Sequence, residues 1–432
     1  MNLHSNPYEA YRVSKNEWAD QTPSEWEEKR VKDLFRLVTD KAPIDNDHEL
    51  LSLYASIGVR PRKDLEARGN KASSTDGYWL VKKGDVVVNK LLAWMGSVGL
   101  SDFDGVTSPA YDVLRKTTQK LDERYFSYLF RTDIAKQIFK KNSRGIMDMR
   151  LRLYFDKLGA ITVPVPPFAT QRAIASYIDT KVAQIEQQVE LLSQKSVNYT
   201  QLKQSLIKET VTRGLDKSVP MKDSGVDLIG DIPEHWSIKR FKEIFNKTHS
   251  GWTPDTGKRE SFEGKNIWVT IRDMGGIQIT DSENKLSDKA IEDAGIKITP
   301  KGSLLFSFKL SIGKIGFAGC DLYTNEAIIS IEDERNVNLN YFYYTLPIFL
   351  VLNAKENIYG AKLLNQGLIF NTSILLPPNL EQVAIAKYLD EKTEQIDRIL
   401  AAINTKIETL NNLRKSLIND VVTGKIRVVN EG

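Results

Sequence analysis

Several sets of residues in this chain have the types and spacing for chemistry, and each lacks something that chemistry needs. Gly251 to Lys258 has the outline of a phosphate-binding loop, in which backbone amides and a lysine cradle a phosphate. It carries one residue too many between its glycines, and Arg259 stands where Ser or Thr would ligate magnesium, so it reads as a surface loop. Pro254-Asp255 followed by Glu263-Gly264-Lys265 has the residue types of a Mg²⁺-dependent nuclease, with two carboxylates for metal and a lysine for the hydroxide. That hydrolysis needs its groups on neighbouring strands; these lie close together in a loop rich in glycine and charge. Val165-Pro166-Pro167-Phe168 has the outline of the Asn/Asp/Ser-Pro-Pro-Tyr/Phe element that holds a target amine for methyl transfer. Valine cannot accept the amine's hydrogen bond, and Leu376-Pro377-Pro378-Asn379 fails at both flanks. No Gly-x-Gly loop follows a strand as a nucleotide cofactor requires. His4, His48, His235 and His249 lack zinc-ligand spacing. The residues therefore predict no catalytic centre and no metal or cofactor site in this chain.

The elements around these motifs are more informative. Pro166-Pro167-Phe168-Ala169-Thr170-Gln171-Arg172-Ala173-Ile174-Ala175-Ser176-Tyr177-Ile178-Asp179 lines up with Pro377-Pro378-Asn379-Leu380-Glu381-Gln382-Val383-Ala384-Ile385-Ala386-Lys387-Tyr388-Leu389-Asp390, about 211 residues on. The register holds to Thr212 and Thr423. Pro23-Ser24-Glu25-Trp26 matches Pro233-Glu234-His235-Trp236, Lys83-Gly84-Asp85 matches Lys301-Gly302-Ser303, and Gly96 and Gly99 match Gly313 and Gly316. The chain is one unit written twice, each copy a globular portion followed by a helical one. The reading by residue is 1–165 globular, 166–215 helical, 216–376 globular and 377–432 helical. Two similar surfaces suit a target that also comes in two halves, and duplex DNA is the commonest such target.

Length and composition agree. A chain of 432 residues exceeds one core and suggests about two to four domains. Apolar content of 41% and charged content of 27% fit globular structure. No apolar run is long enough to cross a bilayer, and the first twenty or so residues are too polar for a secretory signal. Cys320 is the only cysteine, which excludes internal disulfides and suits a reducing cytoplasm. The net charge of +4 permits a polyanion partner without demanding one.

The globular portions read as mixed α and β. Strands are expected at Asp85–Val88, Ile161–Val165, Ile267–Ile271, Ser303–Phe308 and Ile374–Leu376, and helices at Tyr125–Lys140 and Asn340–Leu352. Each Pro-Pro pair ends a strand, because proline lacks a donor and disfavours helix before it. Beyond it the period becomes helical. Ile396, Leu400, Ile403, Ile407 and Leu410 follow a 4-3 spacing, with Leu413, Leu417 and Val421 after one shortened step. The first copy places Ile185, Val189, Leu192, Ser196, Tyr199, Leu202, Leu206 and Thr210 correspondingly. A 4-3 stripe is a coiled-coil seam, and Gly214 and Gly424 stand where glycine ends a helix. A duplicated unit closes most simply with pseudo-twofold symmetry, which runs the two helices antiparallel. From Val182 to Arg213 such a helix spans roughly 45–50 Å, or about 13–14 base pairs of DNA.

Lys222-Asp223-Ser224-Gly225-Val226 with Gly230-Asp231-Ile232-Pro233-Glu234-His235-Trp236 resembles the domain-opening segment of type I restriction-modification specificity subunits. Pro377-Pro378-x-x-Glu381-Gln382-x-x-Ile385-Ala386-x-Tyr388-Leu389-Asp390 resembles that family's conserved helical region. The resemblance runs from about Pro23 to Gly424. The first copy departs at its opening, Tyr11 to Trp26, and at Thr170, which replaces the Glu of Glu-Gln. The resemblance implies two target-recognition domains, each reading half of an interrupted DNA sequence. It implies an antiparallel helix pair that sets the gap and docks two modification subunits. It also implies that S-adenosylmethionine belongs to those methyltransferase subunits, that restriction subunits driven by ATP join with Mg²⁺ for cleavage, and that the specificity subunit is no enzyme itself.

Base reading needs Arg, Lys, Asn or Gln near groove edges, and phosphate contact needs cations or backbone donors. The candidates are Arg60, Arg62, Lys63, Lys90, Trp94, Arg144 and Arg150 in the first copy. In the second they are Thr253, Arg272, Lys309, Lys314, Tyr359, Lys362 and Gln366. The competing readings are a self-contained nuclease or methyltransferase with a duplicated DNA-reading domain, and a purely structural coiled-coil tether.

Overall fold

The computed structural model describes residues 7–54, 58–64, 75–146, 150–226, 229–255, 257–334, 337–356 and 362–428. The chain forms two compact units, one of residues 1–193 with 404–432, the other of residues 194–403. Two long helices, Phe168–Arg213 and Asn379–Val422, each begin in one unit and end in the other.

In the first unit, strands Phe35–Leu37, Tyr111–Lys116, Val86–Asn89 and Val98–Leu100 form an antiparallel sheet in that order. The hairpin Leu51–Tyr54 with Gly58–Pro61 packs on its last strand. Gly99 allows that approach, since a Cβ there would meet Leu53 at 2.8 Å and the Gly58 Cα at 3.2 Å. Trp18, Trp26, Phe35, Tyr125, Phe126, Phe130 and Phe139 fill the core. The helix expected over Tyr125–Lys140 is two helices, Glu123–Leu129 and Asp133–Asn142. Thr132 makes the break: its hydroxyl accepts from the Ala135 amide and donates to the Leu129 carbonyl, a side-chain cap that starts a new helix.

In the second unit, Thr248–Ser250, Ile328–Ile331, Leu304–Ser307, Ile315–Ala318 and Gln278–Ile279 form a five-stranded sheet. A second sheet orders Lys285–Leu286, Asn266–Val269 and Tyr323–Thr324. The helix Leu339–Leu352 covers a core of Trp236, Phe241, Phe306, Tyr341 and Phe342.

The duplicated Pro-Pro-x-x-x-Gln segment acts as a clip in both units. Gln171 donates to the Pro166 carbonyl (2.8 Å) and accepts from the Asp122 amide (3.0 Å). Gln382 donates to the Pro377 carbonyl (2.9 Å) and accepts from the Asn338 amide (3.4 Å). Each glutamine is buried and ties the start of a long helix to the cap of a globular-domain helix. Asp179 accepts from Tyr128 and Asp390 from Tyr344 in the same way.

Each unit is completed by the end of the other copy's helix. Leu417, Val421 and Val422 join Ile174 and Ile178 in the first core, and Val211 joins Ile385 and Leu389 in the second. A helix start beside a helix end makes each pairing antiparallel. Gly424 and Gly214 end the helices with φ of +79° and +72° against Trp26 and Trp236.

The first copy's opening keeps the architecture despite its different sequence. Tyr11–Val13 pairs with Gln21–Pro23 as Met221–Asp223 pairs with Asp231–Pro233. Arg12 donates to the Trp26 carbonyl as Lys222 donates to that of Trp236, both at 2.8 Å. Burial disfavours the Glu28 carboxylate. The Arg12 guanidinium, the Ser14 hydroxyl and the Lys15 amide outweigh that and hold its pKa down to about 2.

The copies differ at one anchor. Glu381 accepts from Trp236 Nε1 (3.0 Å) and pairs with His235 (2.8 Å). Thr170 offers no such reach. Trp26 Nε1 is buried with no acceptor equivalent to Glu381, and the Tyr8 ring packs edge-on against it at 5.6 Å. Glu381→Thr, which copies the first unit's residue into the second, is expected to cost about 1–3 kcal/mol in urea unfolding, because a buried donor loses its acceptor. The reverse change, Thr170→Glu, is expected to give no matching gain: Glu25 occupies the position of His235 and would repel the new carboxylate.

Candidate nucleic-acid interface

Strand pairing gathers loops at one edge of the second unit's sheet. Ser250 pairs with Ile329, Ser307 with Ile328 and Phe306 with Ile315, so the segments after Ser250, after Ser307 and before Ile328 all leave from that edge. Thr253 donates its hydroxyl to the Glu326 carboxylate. The Gln366 amide donates to the Ser250 hydroxyl at 2.8 Å. Lys314 Nζ donates to the Ile271 carbonyl at 2.8 Å, which draws the exposed Arg272 alongside. Lys309 is exposed, with its ammonium 5.8 Å from the centre of the Phe308 ring. Lys362 is exposed on the short strand Lys362–Leu363. Tyr359 lies outside the described residues. The edge thus presents a hydroxyl and an amide, which can meet base edges, beside cations that can meet phosphates.

The first unit gathers a corresponding set. Tyr111 pairs with Asn89 and Val88 with Val98, so the loop from Lys90 to Ser97 leaves from the sheet edge next to Ala110. The Lys90 carbonyl accepts from the Leu153 amide at 2.9 Å, and Arg144 bridges Arg152, so the segment bearing Arg144 and Arg150 reaches the same edge. Several cations here are already engaged. Lys90 Nζ lies 3.4 Å from Asp112, whose pKa is raised by burial and lowered less by Lys90. Arg144 pairs with Asp156 at 2.9 Å. Trp94 is half-buried against the core; its Nε1 donates to the Leu91 carbonyl, and Lys140 Nζ lies 5.3 Å from the ring centre. Arg150 is exposed. Arg60 lies on the hairpin Gly58–Pro61 and Lys63 on the turn after it, while Arg62 on that turn is close enough to Tyr111 to act on its phenol electrostatically. Arg60 covers the Phe103 ring beside Asp102, and Lys63 pairs with Glu49.

The pattern described as type I restriction modification DNA specificity domain matches residues 23–192 and again 233–409. The chain belongs to this family. The MjaVIII specificity subunit of Methanocaldococcus jannaschii is 23% identical over 433 residues and is covered over 95% of each chain. The EcoBI specificity subunit of Escherichia coli is 24% identical over 369 residues, covering 81% of this chain and 75% of its own. Among solved structures, a chain from a study of complex assembly and conformational transition of the type I R-M system superposes with a TM-score of 0.73 at 16% identity, over 94% of this chain and 99% of that one. The HsdS subunit from Thermoanaerobacter tengcongensis gives 0.57 at 15% identity, over 94% and 98%. At these identities the structural likeness bears on the fold.

In this type I specificity chain the helical stripe takes a course that the apolar residues alone did not reveal. Ile185, Ile396, Ile403, Leu410 and Leu417 are buried, and Val189, Leu192, Tyr199, Leu206, Leu400 and Ile407 are half-buried. Leu202 and Leu413, expected in the seam, are instead 53% and 38% exposed. The 4-3 spacing continues unbroken through Lys203 and Arg414. Lys203 pairs with Asp397 at 2.7 Å in the second unit, and Arg414 with Glu186 at 3.1 Å in the first. The offset of about 211 residues carries one ion pair onto the other. A long cationic side chain lays its stem along the apolar stripe and keeps its head in water, so it can hold a seam position.

Sequence reasoning missed Glu326, which anchors Thr253, and the exposed apolar residues Leu91, Leu92, Met95, Ile146 and Leu310. The repeated Lys-Leu pairs, Lys90-Leu91 and Lys309-Leu310, each just past a strand, were the available signal.

Proposed function

We propose that this chain selects the DNA sequence on which a type I restriction-modification complex acts. Each unit reads one half of an interrupted target through the loops at its sheet edge. The segments 1–165 and 216–376 serve as readers. The helical segments 166–215 and 377–432 fix the gap and dock two modification subunits, with restriction subunits joining for cleavage. S-adenosylmethionine, ATP and Mg²⁺ serve the partner subunits, and the complex works in the cytoplasm. The observation that carries this reading is the duplication itself: two units of one family, each with polar and cationic side chains gathered at the equivalent edge.

A self-contained nuclease gains no support. Among the described residues no three His, Cys, Asp or Glu side chains stand together as a metal site. A structural tether leaves two reading edges without a task. The test is duplex binding by the full chain with its methyltransferase subunits. Affinity is expected to fall linearly in log–log form with salt, as phosphate neutralisation requires. Binding that ignores salt and sequence, or methyl transfer by the purified chain alone, would refute the proposal.

A further inference from the structure

We propose that Leu310 is an apolar wedge that the second unit presses into the duplex at its half-site, unstacking one base step. This rests on the DNA-reading function proposed above. Leu310 is 94% exposed and holds a φ of +58°. That left-handed conformation suits glycine or asparagine and strains leucine. Strained residues that persist in a folded loop cluster at functional sites. Exposure gives the side chain no part in the core, so its apolar body has no role in folding.

The loop that carries it is firmly closed. Ser307 Oγ accepts from the Lys314 amide at 2.9 Å and donates to the Ser311 carbonyl at 2.6 Å. The Gly313 amide donates to the Ser307 carbonyl at 3.0 Å, with Gly313 at φ +97°. The Phe308 amide donates to the Ala327 carbonyl, next to the Glu326 that holds Thr253. Leu310 therefore stands on a fixed tip, beside the exposed Lys309, at the edge where the polar candidates gather. The first unit has a similarly closed loop with exposed apolar side chains, without a leucine in the left-handed conformation. Asn89 and Ser97 close the equivalent loop, Gly96 turns it at φ +87°, and Leu91, Leu92 and Met95 are its exposed side chains.

A rigid apolar tip beside a cation suits a duplex: the cation meets phosphate while the side chain enters between bases, as leucine and methionine wedges do. A docking face for a protein would need neighbouring apolar area to exclude water around the contact. Leu310 instead has the charged Lys309 before it and the polar Ser311 after it, both exposed.

The test uses the full chain assembled with its own methyltransferase subunits. The probe is a duplex bearing the modified site mapped in the source genome, with 2-aminopurine placed in turn at each step of the second half-site. Wild type is expected to raise 2-aminopurine fluorescence several-fold at one step. Leu310→Gly and Leu310→Asn, which keep the backbone and remove the wedge, should abolish that rise and weaken specific binding about tenfold. Both should leave thermal stability equal or higher, and Leu310→Met should restore the signal. An unchanged fluorescence rise in Leu310→Gly overturns the wedge while the reading function stands. So does loss of methyltransferase assembly with the rise intact, which would make Leu310 a protein contact. Failure of wild type to bind the duplex overturns both.

Discussion

Adding four residues at equivalent points in both long helices is expected to widen the permitted gap between half-sites by about two base pairs, since four residues lengthen a helix by about 6 Å. Modification of the native sites should disappear, and modification of the wider sites should replace it with both half-sites unchanged. The physical basis is that the proposed readers lie in the globular portions, while the helices carry no candidate reader. Four residues make slightly more than one helical turn, which keeps the outer faces close to their original directions. The paired cations supply a check on register: Lys203 with Asp397 and Arg414 with Glu186 should re-form if the helices keep their alignment. Mapping methylated adenines in a genome carrying the lengthened chain reads the result directly. An altered half-site with an unaltered gap would refute the spacer role.

Arg115→Ala is expected to destabilise the first unit by about 3–5 kcal/mol, the cost of leaving a buried charge without its partner. Asp85 is 2% exposed and accepts from Arg115 Nε at 2.8 Å and Nη2 at 2.7 Å, a bidentate pair between neighbouring strands. Its second oxygen also accepts from the Lys82 amide at 2.8 Å. Removing the guanidinium strands this carboxylate in the sheet that supports the Lys90 loop. Hydrogen exchange in Val86–Asn89 and Tyr111–Lys116 should accelerate, while the second unit's strands keep their protection. The copies differ here: Ser303 stands where Asp85 does, so the second unit lacks an equivalent carboxylate. A loss below about 1 kcal/mol would mean that the pair behaves as a solvated one.

Much of the architecture was legible because it depends on local rules. The Pro-Pro pairs marked the ends of strands Thr162–Val165 and Ser373–Leu376 within a residue or so. The 4-3 apolar spacing announced both long helices. The break at Thr132 was not legible. Its cap outcompetes a helical pattern that continues through it in the sequence.

The candidate interface was legible as a composition and not as a site. Lys63, Lys90 and Arg144 read as available cations, yet each has a carboxylate at hand, and Trp94 is largely a wall of the core. Those partners are distant in sequence or fixed by strand register, so no neighbouring residue reveals them.

By itself the sequence determined the repeat, the family, the alternation of globular and helical portions, and the absence of any complete enzyme motif, because these follow from residue order and period. Only the tertiary structure decided that the helical stripe passes through Lys203 and Arg414, which cations remain exposed, and that Leu310 stands strained in water. Those outcomes depend on which side chains long-range packing brings together and on the sign of one backbone angle, and neither quantity is fixed by a residue's neighbours along the chain.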